Sequence, residues 1–170
     1  ALVAGLTDLP AYVMHGASQS GVQLSLEPTQ ASRLLGLPVG ALAGSIVDLE
    51  AMWPQTSRLL DRLHDARDMP TRAGVLRDEL TPMLVDDGSS ASTDVMGAWR
   101  MIEEEGGTGR ISDLADRLGT SRRHLTARFR SAYGVTPKQA ARVCRFHRAQ
   151  REVADGHHLA SVAARNGYAD

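Results

Sequence analysis

The sequence has little or none of several features on which whole classes of protein depend. Its 170 residues include one cysteine, Cys144, so a disulfide framework or a multi-cysteine zinc site cannot form within the chain. No apolar run approaches the ~20 residues that a membrane helix requires, and the first ten residues lack the basic start of a signal peptide. These absences predict a cytoplasmic protein with no membrane partner. Cys144 lies near Phe146 on a predicted helix, which favours a packed thiol over the alternative of a redox switch.

Signatures of catalysis and of cofactor binding are also missing. The sequence contains no Gly-rich phosphate loop and no nucleophile elbow. His147, His157 and His158 do not share the spacing of metal ligands, and the acidic run 103–105 stands before a glycine stop, where carboxylates face solvent. We therefore predict that the protein is not an enzyme, needs no cofactor and holds no metal.

The net charge of −1 conceals two halves of opposite sign. Residues 1–96 contain six arginines and twelve acidic residues, whereas residues 97–170 contain thirteen basic and eight acidic residues. The extreme runs from Arg117 to Arg151, where ten basic residues occur and no acidic one. Charge of one sign concentrated in this way favours a polyanionic partner, most often nucleic acid. The alternative is a solvated helical face that binds nothing.

The N-terminal half combines one period-2 segment with helical patterns. Val22, Leu24 and Leu26 alternate with polar residues up to Pro28, which predicts a half-buried strand with residues 11–15 as its partner. Two strands make a poor sheet alone, so we expect them to be the last strands of a truncated β domain. The later patterns predict a short helix at 30–36, a helical turn at 38–44 and a hairpin of amphipathic helices at 54–67 and 70–85.

A stretch without large apolar residues at 87–94 predicts a linker. It separates residues 1–86, the end of a regulatory domain, from a second domain at 95–170. Capping residues and glycine stops predict five helices there: about 95–105, 112–118 with Ser112 as N-cap, 122–133 with Ser121 as N-cap, 137–155 with Pro137 in its first turn, and 160–166. The predicted fold is mainly α, with the last strands of the β domain at its start.

Residues 111–134 have the pattern of a helix-turn-helix, because a short helix ends at Gly119 and Ser121 begins a longer one two residues later. Leu125 and Phe129 would anchor the longer helix and leave a polar face outside. Long, forked donors on a protruding helix suit base edges and phosphates in a DNA major groove, and a helix N-terminus can receive a phosphate. The candidate DNA-binding residues are Thr120, Ser121, Arg122, Arg123, His124, Thr126 and Arg130, with Arg145 of the 137–155 helix as a backbone contact.

Two of these assignments have alternatives. His124 could have a capping or surface role instead of meeting a phosphate. Arg142, Arg145 and Arg148 recur along one side of the 137–155 helix, and an arginine there could equally pair with an acidic residue of the domain.

The helix-turn-helix pattern begins a second time. ISDLADRLG at 111–119 aligns without gaps with LASVAARNG at 159–167, so that Arg117 matches Arg165 and Gly119 matches Gly167. A second unit is therefore predicted to start at 159, with its own recognition helix expected after Asp170, and the 137–155 helix would join the two units.

Two helix-turn-helix units joined by one long helix resemble the DNA-binding domain of the AraC/XylS family of bacterial transcription regulators. The resemblance covers about 95–170 and rests on the strings LADRLGTSRRHLTARFRSAYGVTPKQ, RFHRAQ and SVAARNGYAD. Tyr168 stands where the family more often has Phe, and Ala127 stands where some members carry a long, base-contacting side chain. The resemblance implies double-stranded DNA as the main partner and RNA polymerase as a further one. By this resemblance the domain at 95–170 is incomplete at its C-terminal end.

Residues 1–86 resemble the end of a cupin-type effector domain found in one branch of the same family. This resemblance implies a small-molecule effector for the domain upstream. It also implies a homodimer through helices 54–85, for which the alternative is packing of these helices within one chain.

We therefore predict a sequence-specific DNA-binding transcription regulator. The 122–133 helix would enter a major groove, and the unit that starts at 159 would address the next groove on the same side. The alternative is a helical oligomerisation or adaptor module without DNA binding, whose function lies in 54–85. Neutralisation of the arginines on the exposed side of the 122–133 helix distinguishes the two hypotheses, because an adaptor would tolerate it.

Overall fold

The computed structural model of the chain describes residues 1–12, 14, 17, 21–84 and 93–168. Across these residues the fold is mainly α, as predicted, with one two-stranded sheet near the N-terminus. None of the helices in these ranges is long and apolar enough to cross a bilayer.

The N-terminal part contains the sheet and a set of short helices. Strand β1, Leu2–Ala4, pairs antiparallel with strand β2, Ile46–Asp48, so that Val3 faces Val47. The other elements are α1 Pro28–Leu35, a 3-10 turn Val39–Leu42, α2 Leu49–Met52, α3 Thr56–Asp65, α4 Met69–Leu80 and a 3-10 turn Thr81–Leu84.

The predicted helices of this part are present, and α1 and α4 begin at local capping signals. Helix α1 starts with a capping box between Glu27 and Gln30 and ends at Gly36, whose φ is 66°. Helix α4 starts at Asp68, whose carboxylate accepts from the Thr71 amide at 2.8 Å. Helices α3 and α4 form the predicted hairpin, and the last predicted turn of α4 is 3-10 instead of α.

The hairpin encloses a small apolar core of its own. Leu59, Leu76 and Leu80 are buried in it, and Trp53 packs against them. An ion pair between Arg62 and Glu79 also joins the two helices.

The strand predicted at 22–26 is wrong, because no ladder forms there. Val22 instead packs its side chain on the hairpin core, and Leu24 is 49% exposed. Apolar and polar residues alternate in a strand, but they also alternate in an extended segment that packs on a helical surface. Only the presence of a pairing strand distinguishes the two. In the proposed partner 11–15, Tyr12 and Met14 are exposed, and Val13 and His15 lie outside the described residues.

Over the described residues 93–168, the C-terminal part has five helices, at the predicted positions apart from small shifts in their ends. They are α5 Thr93–Glu104, α6 Ile111–Arg117, α7 Arg122–Tyr133, α8 Pro137–Ala154 and α9 Leu159–Arg165. Helix α5 begins inside the predicted linker 87–94, of which residues 87–92 lie outside the described ranges. Ser112 is not the N-cap of α6, because Arg110 takes that position and the Ser112 hydroxyl donates to the Asp113 carboxylate instead.

Helices α5 to α8 share one core. Its centre is an aromatic cluster in which the ring of Phe129 lies 6.0 Å from Trp99 and 4.7 Å from Tyr133, between ring centres. The predicted core position of Trp99 is confirmed, and Trp53 is likewise packed in the hairpin. The core residues are Val95, Ala98, Trp99, Ile102, Leu114, Ala115, Leu125, Phe129, Tyr133, Val135, Ala140 and Ala141.

The N-terminal part contacts this core at the junction of α7 and α8. Leu6 and Ala43 pack against its edge. The contact is close, since a Cβ on Gly40 would lie 2.9 Å from the backbone nitrogen of Gly134. The two parts therefore meet at the end of α7, away from the start of that helix.

Candidate nucleic-acid interface

The turn between α6 and α7 is fixed by local backbone geometry. Gly119 has a φ of 64°, a conformation that favours glycine. The Thr120 amide donates to the Ala115 carbonyl at 3.0 Å. Ser121 then begins α7, and its hydroxyl accepts from the His124 amide at 3.2 Å, which confirms the predicted N-cap.

One side of α7 is fixed in the core. Leu125, Phe129 and Tyr133, four residues apart, are 2%, 0% and 3% exposed. Because this stripe is buried against α5, α6 and α8, the opposite side of the helix is turned away from the protein.

Seven of the eight predicted site residues lie together at the start of α7, along its exposed surface and on the turn before it. Thr126 is half-buried, and its hydroxyl donates to the Arg122 carbonyl at 2.7 Å. Thr120 is half-buried as well. The exposed members are Ser121, Arg122, Arg123, His124 and Arg130.

The arginines of α7 divide into two groups. Arg128 points towards α5, where its guanidinium lies 2.7 Å from the Asp94 carboxylate. Among the described residues, no carboxylate forms an ion pair with Arg122, Arg123 or Arg130. Within the described part of the chain, no ion pair therefore neutralises their positive charge.

Arg145 lies apart from the other predicted residues. Its guanidinium carbon lies 5.0 Å from the centre of the Tyr168 ring, and its buried Nε has no hydrogen-bond partner in the described structure. The neighbouring arginines form ion pairs, Arg142 with Asp8 and Arg148 with Glu152. The alternative role in domain packing thus has direct support along this side of α8, and phosphate contact by Arg145 stays a prediction.

The start of the second unit is attached to α8 by a polar cluster that sequence reasoning missed. Glu152 accepts from Arg165 Nη2 and from Asn166 Nδ2, both at 3.1 Å, and from Arg148 Nε at 3.2 Å. Partial burial opposes ionisation of Glu152, but the hydrogen bonds from Arg165, Arg148 and Asn166 outweigh it and lower the pKa of the carboxylate. The sequence feature that could have indicated this cluster is the position of Glu152, the first acidic residue after the basic stretch 117–151.

Two ionisable groups behind the candidate interface, the half-buried Cys144 and the buried Tyr133, are held in their neutral forms. Burial, with a smaller effect of the nearby Glu103 carboxylate, raises the pKa of Cys144 to about 11 and that of Tyr133 to about 12. A thiol of this kind is a poor nucleophile, which agrees with the packed role predicted for Cys144. Within the described residues, no group of three or more His, Cys, Asp or Glu could hold a metal ion.

Comparison with known families agrees with this geometry. The model of a helix-turn-helix domain family matches residues 114–170, from the middle of α6 to the end of the chain. The fold and the match define a DNA-binding helix-turn-helix regulator. The match supports the resemblance of this C-terminal part to the DNA-binding domain of the AraC/XylS family of transcription regulators. Comparisons with curated proteins and with solved structures gave no match.

Proposed function

We propose that the chain is a sequence-specific transcription regulator that inserts α7 into a DNA major groove. The observation that carries this proposal is the outer side of α7, where Arg122, Arg123 and Arg130 are exposed without a carboxylate partner in the described residues. A helix ~10–12 Å across fits a groove ~12 Å wide. The buried stripe on the other side keeps these guanidinium groups directed outward.

The second unit would bind the next groove on the same side of the duplex. Helix α8 joins the two units and has 18 residues, which is ~27 Å at ~1.5 Å per residue. Successive major-groove faces on one side of B-DNA are ~34 Å apart. A stiff spacer of this length supports placement of α9 near the adjacent groove.

Three further partners belong to the same proposal. A small-molecule effector would act through the domain at 1–86, and RNA polymerase would contact the bound regulator. A homodimer through 54–85 would have to use surface outside the hairpin core, for example near Met69, which is 55% exposed. Leu59 and Leu76 are already buried within the chain.

Selection from random duplexes, followed by titration of the selected site, tests the proposal. Arg123→Ala should weaken binding to that site by ~1–3 kcal/mol and relax the preference at one or two base pairs. Arg58→Ala, which removes an exposed arginine from α3, is the matched control and should have no such effect. If Arg123→Ala leaves both affinity and the selected site unchanged, α7 is not the reading helix.

The same titration at two salt concentrations tests Arg145. If it contacts a phosphate, Arg145→Ala should weaken binding to all sequences alike and reduce the dependence of log K on log salt. If it only packs on Tyr168, the salt slope should stay unchanged while the thermal stability of the variant falls.

A further inference from the structure

The middle of the outer side of α7 offers methyl groups where its ends offer charge. The hydroxyl proton of Thr126 is committed to the Arg122 carbonyl at 2.7 Å, so this side chain has no proton left for a base. Its remaining groups are the hydroxyl oxygen, which can only accept, and the γ-methyl. The next residue, Ala127, is exposed and ends in a methyl group.

These methyl groups lie between two arginines. Arg123, Thr126, Ala127 and Arg130 follow the spacing i, i+3, i+4 and i+7, which brings them onto one side of a helix. Read along α7, this surface presents a guanidinium, two methyl groups and a second guanidinium. Arg123 and Arg130 are both exposed.

The major groove has a distinct complement for each of these groups. Arginine pairs with the O6 and N7 acceptors of guanine, and the 5-methyl group of thymine is the apolar feature to which alanine and the methyl of threonine can pack. Neither side chain has a proton to give, so base acceptors such as purine O6 and N7 would lose their water here without gaining a hydrogen bond, which is unfavourable.

We propose that Thr126 and Ala127 select thymine by contact with its 5-methyl group, at the centre of the site read by α7 and next to a base pair read by arginine. This inference rests on the proposed function, since it requires α7 to lie in a major groove.

Replacement of thymine by deoxyuridine tests the contact directly, because it removes only the methyl group. The site is first selected from random duplexes with the 170-residue chain. Each thymine of the site is then replaced singly by deoxyuridine, and dissociation constants are measured. We expect one or two central positions at which the replacement weakens binding about fourfold, the loss that corresponds to one buried methyl group, and no effect elsewhere.

Two variants at the same residue identify the protein group. Thr126→Ser removes the methyl and keeps the hydroxyl, so its discrimination between thymine and deoxyuridine should fall towards one at one position. Thr126→Val keeps methyl groups and removes the hydroxyl, and it should retain the discrimination. Ala127→Gly should abolish discrimination at the neighbouring position, with its folding checked by urea denaturation because glycine weakens a helix.

The outcomes separate the inference from the proposed function. A wild-type chain that selects a site but binds its deoxyuridine forms equally well contradicts the thymine contact alone. Equal thymine discrimination by Thr126→Ser and Thr126→Val assigns the contact to another residue and also contradicts it. A chain that binds every duplex alike contradicts the proposed function and the inference together.

Discussion

The guanidinium of Arg165 lies 3.1 Å from the carboxylate of Glu152. The first unit contains the same relationship, because Arg117, 48 positions earlier, forms an ion pair with Glu105. In both units the arginine ends the short first helix, and the acid lies at or near the end of the helix before it. The sequence repeat is therefore also a repeat of contacts. Helix α8 supplies the acidic partner for the second unit, and the residue directly after α5 supplies it for the first.

Glu152 should control how firmly α9 is held on α8. Glu152→Gln is expected to lower the Tm at pH 7 and to speed amide exchange in α9, because three donors lose their ionised acceptor. The pKa of Glu152 is lowered in the folded chain, so its stabilisation is present above the ordinary carboxyl pKa and disappears as the pH falls through the lowered value.

Thermal unfolding at pH 7 and pH 3 checks this prediction. Acidification should narrow the difference in Tm between the wild type and Glu152→Gln. Glu104→Gln is the control, since Glu104 is exposed and forms no ion pair among the described residues. A Tm difference of the same size at both pH values would show that the ionised carboxylate does not hold α9.

The helix-turn-helix could be predicted because its signals are local. Ser121 begins α7 and Gly134 ends it, at the predicted residues, since a cap acts within one turn of its own helix. The outer side of α7 follows from the period of Leu125 and Phe129. The resemblance to the AraC/XylS family likewise depends on short sequence strings, which can be recognised without any tertiary information.

The contacts between distant segments could not be predicted. β-pairing needs a partner that the pattern of one segment does not name, so alternation at 22–26 predicts a strand, whereas the strands form at Leu2–Ala4 and Ile46–Asp48. The stacking of Arg145 on Tyr168 joins residues 23 positions apart, and Asp8 reaches α8 across most of the chain. The residue types at these positions do not indicate which distant residue each one contacts.

Two glycines in the same backbone conformation should respond differently to alanine. Gly119 has a φ of 64°, and no atom lies within 4 Å of the position that an added Cβ would take, so Gly119→Ala should cost only the conformational strain of ~1–2 kcal/mol. At Gly134, with a φ of 72°, an added Cβ would lie 2.3 Å from the Cβ of Ala43. Gly134→Ala should therefore lose ~1–3 kcal/mol more, the usual cost of overpacking. Urea denaturation measures both, and equal losses would mean that the 3-10 turn 39–42 does not dock on the end of α7.

Removal of a buried hydroxyl should stabilise the domain. Tyr133 Oη is buried and has no hydrogen-bond partner among the described residues, so Tyr133→Phe should raise the free energy of unfolding by about 1 kcal/mol. Burial raises the pKa of Tyr133 from 10.0 to about 12. The wild type should therefore lose stability as the pH rises from about 10 towards 12, because the unfolded chain ionises first.

Guanidinium denaturation at pH 8 and pH 11 tests both parts of this prediction. Tyr133→Phe should lose less stability between the two values than the wild type does. Cys144 also titrates in this range but is present in both proteins, so the difference reports on Tyr133. Tyr12→Phe, at a residue 93% exposed, is the control and should behave as the wild type. A variant less stable than the wild type at pH 8 would show that the hydroxyl has a partner.

Asp8 links the N-terminal part to helix α8 of the DNA-binding domain. The side chain of Asp8 is 9% exposed, and its carboxylate accepts from Gln139 Nε2 at 3.1 Å and from Arg142 Nη1 at 2.7 Å. Asp8→Asn keeps an acceptor for Gln139 and loses the ion pair, for which we expect a loss of about 0.5 kcal/mol because Arg142 is half-exposed. Asp8→Leu leaves the Gln139 amide without its partner and should cost ~1–3 kcal/mol.

Asp61→Asn, on the exposed side of α3, is the control. The order in stability should be Asp61→Asn, then Asp8→Asn, then Asp8→Leu, because each step removes one further contact of α8. If all three unfold at the same urea concentration, Asp8 does not hold the N-terminal part on α8.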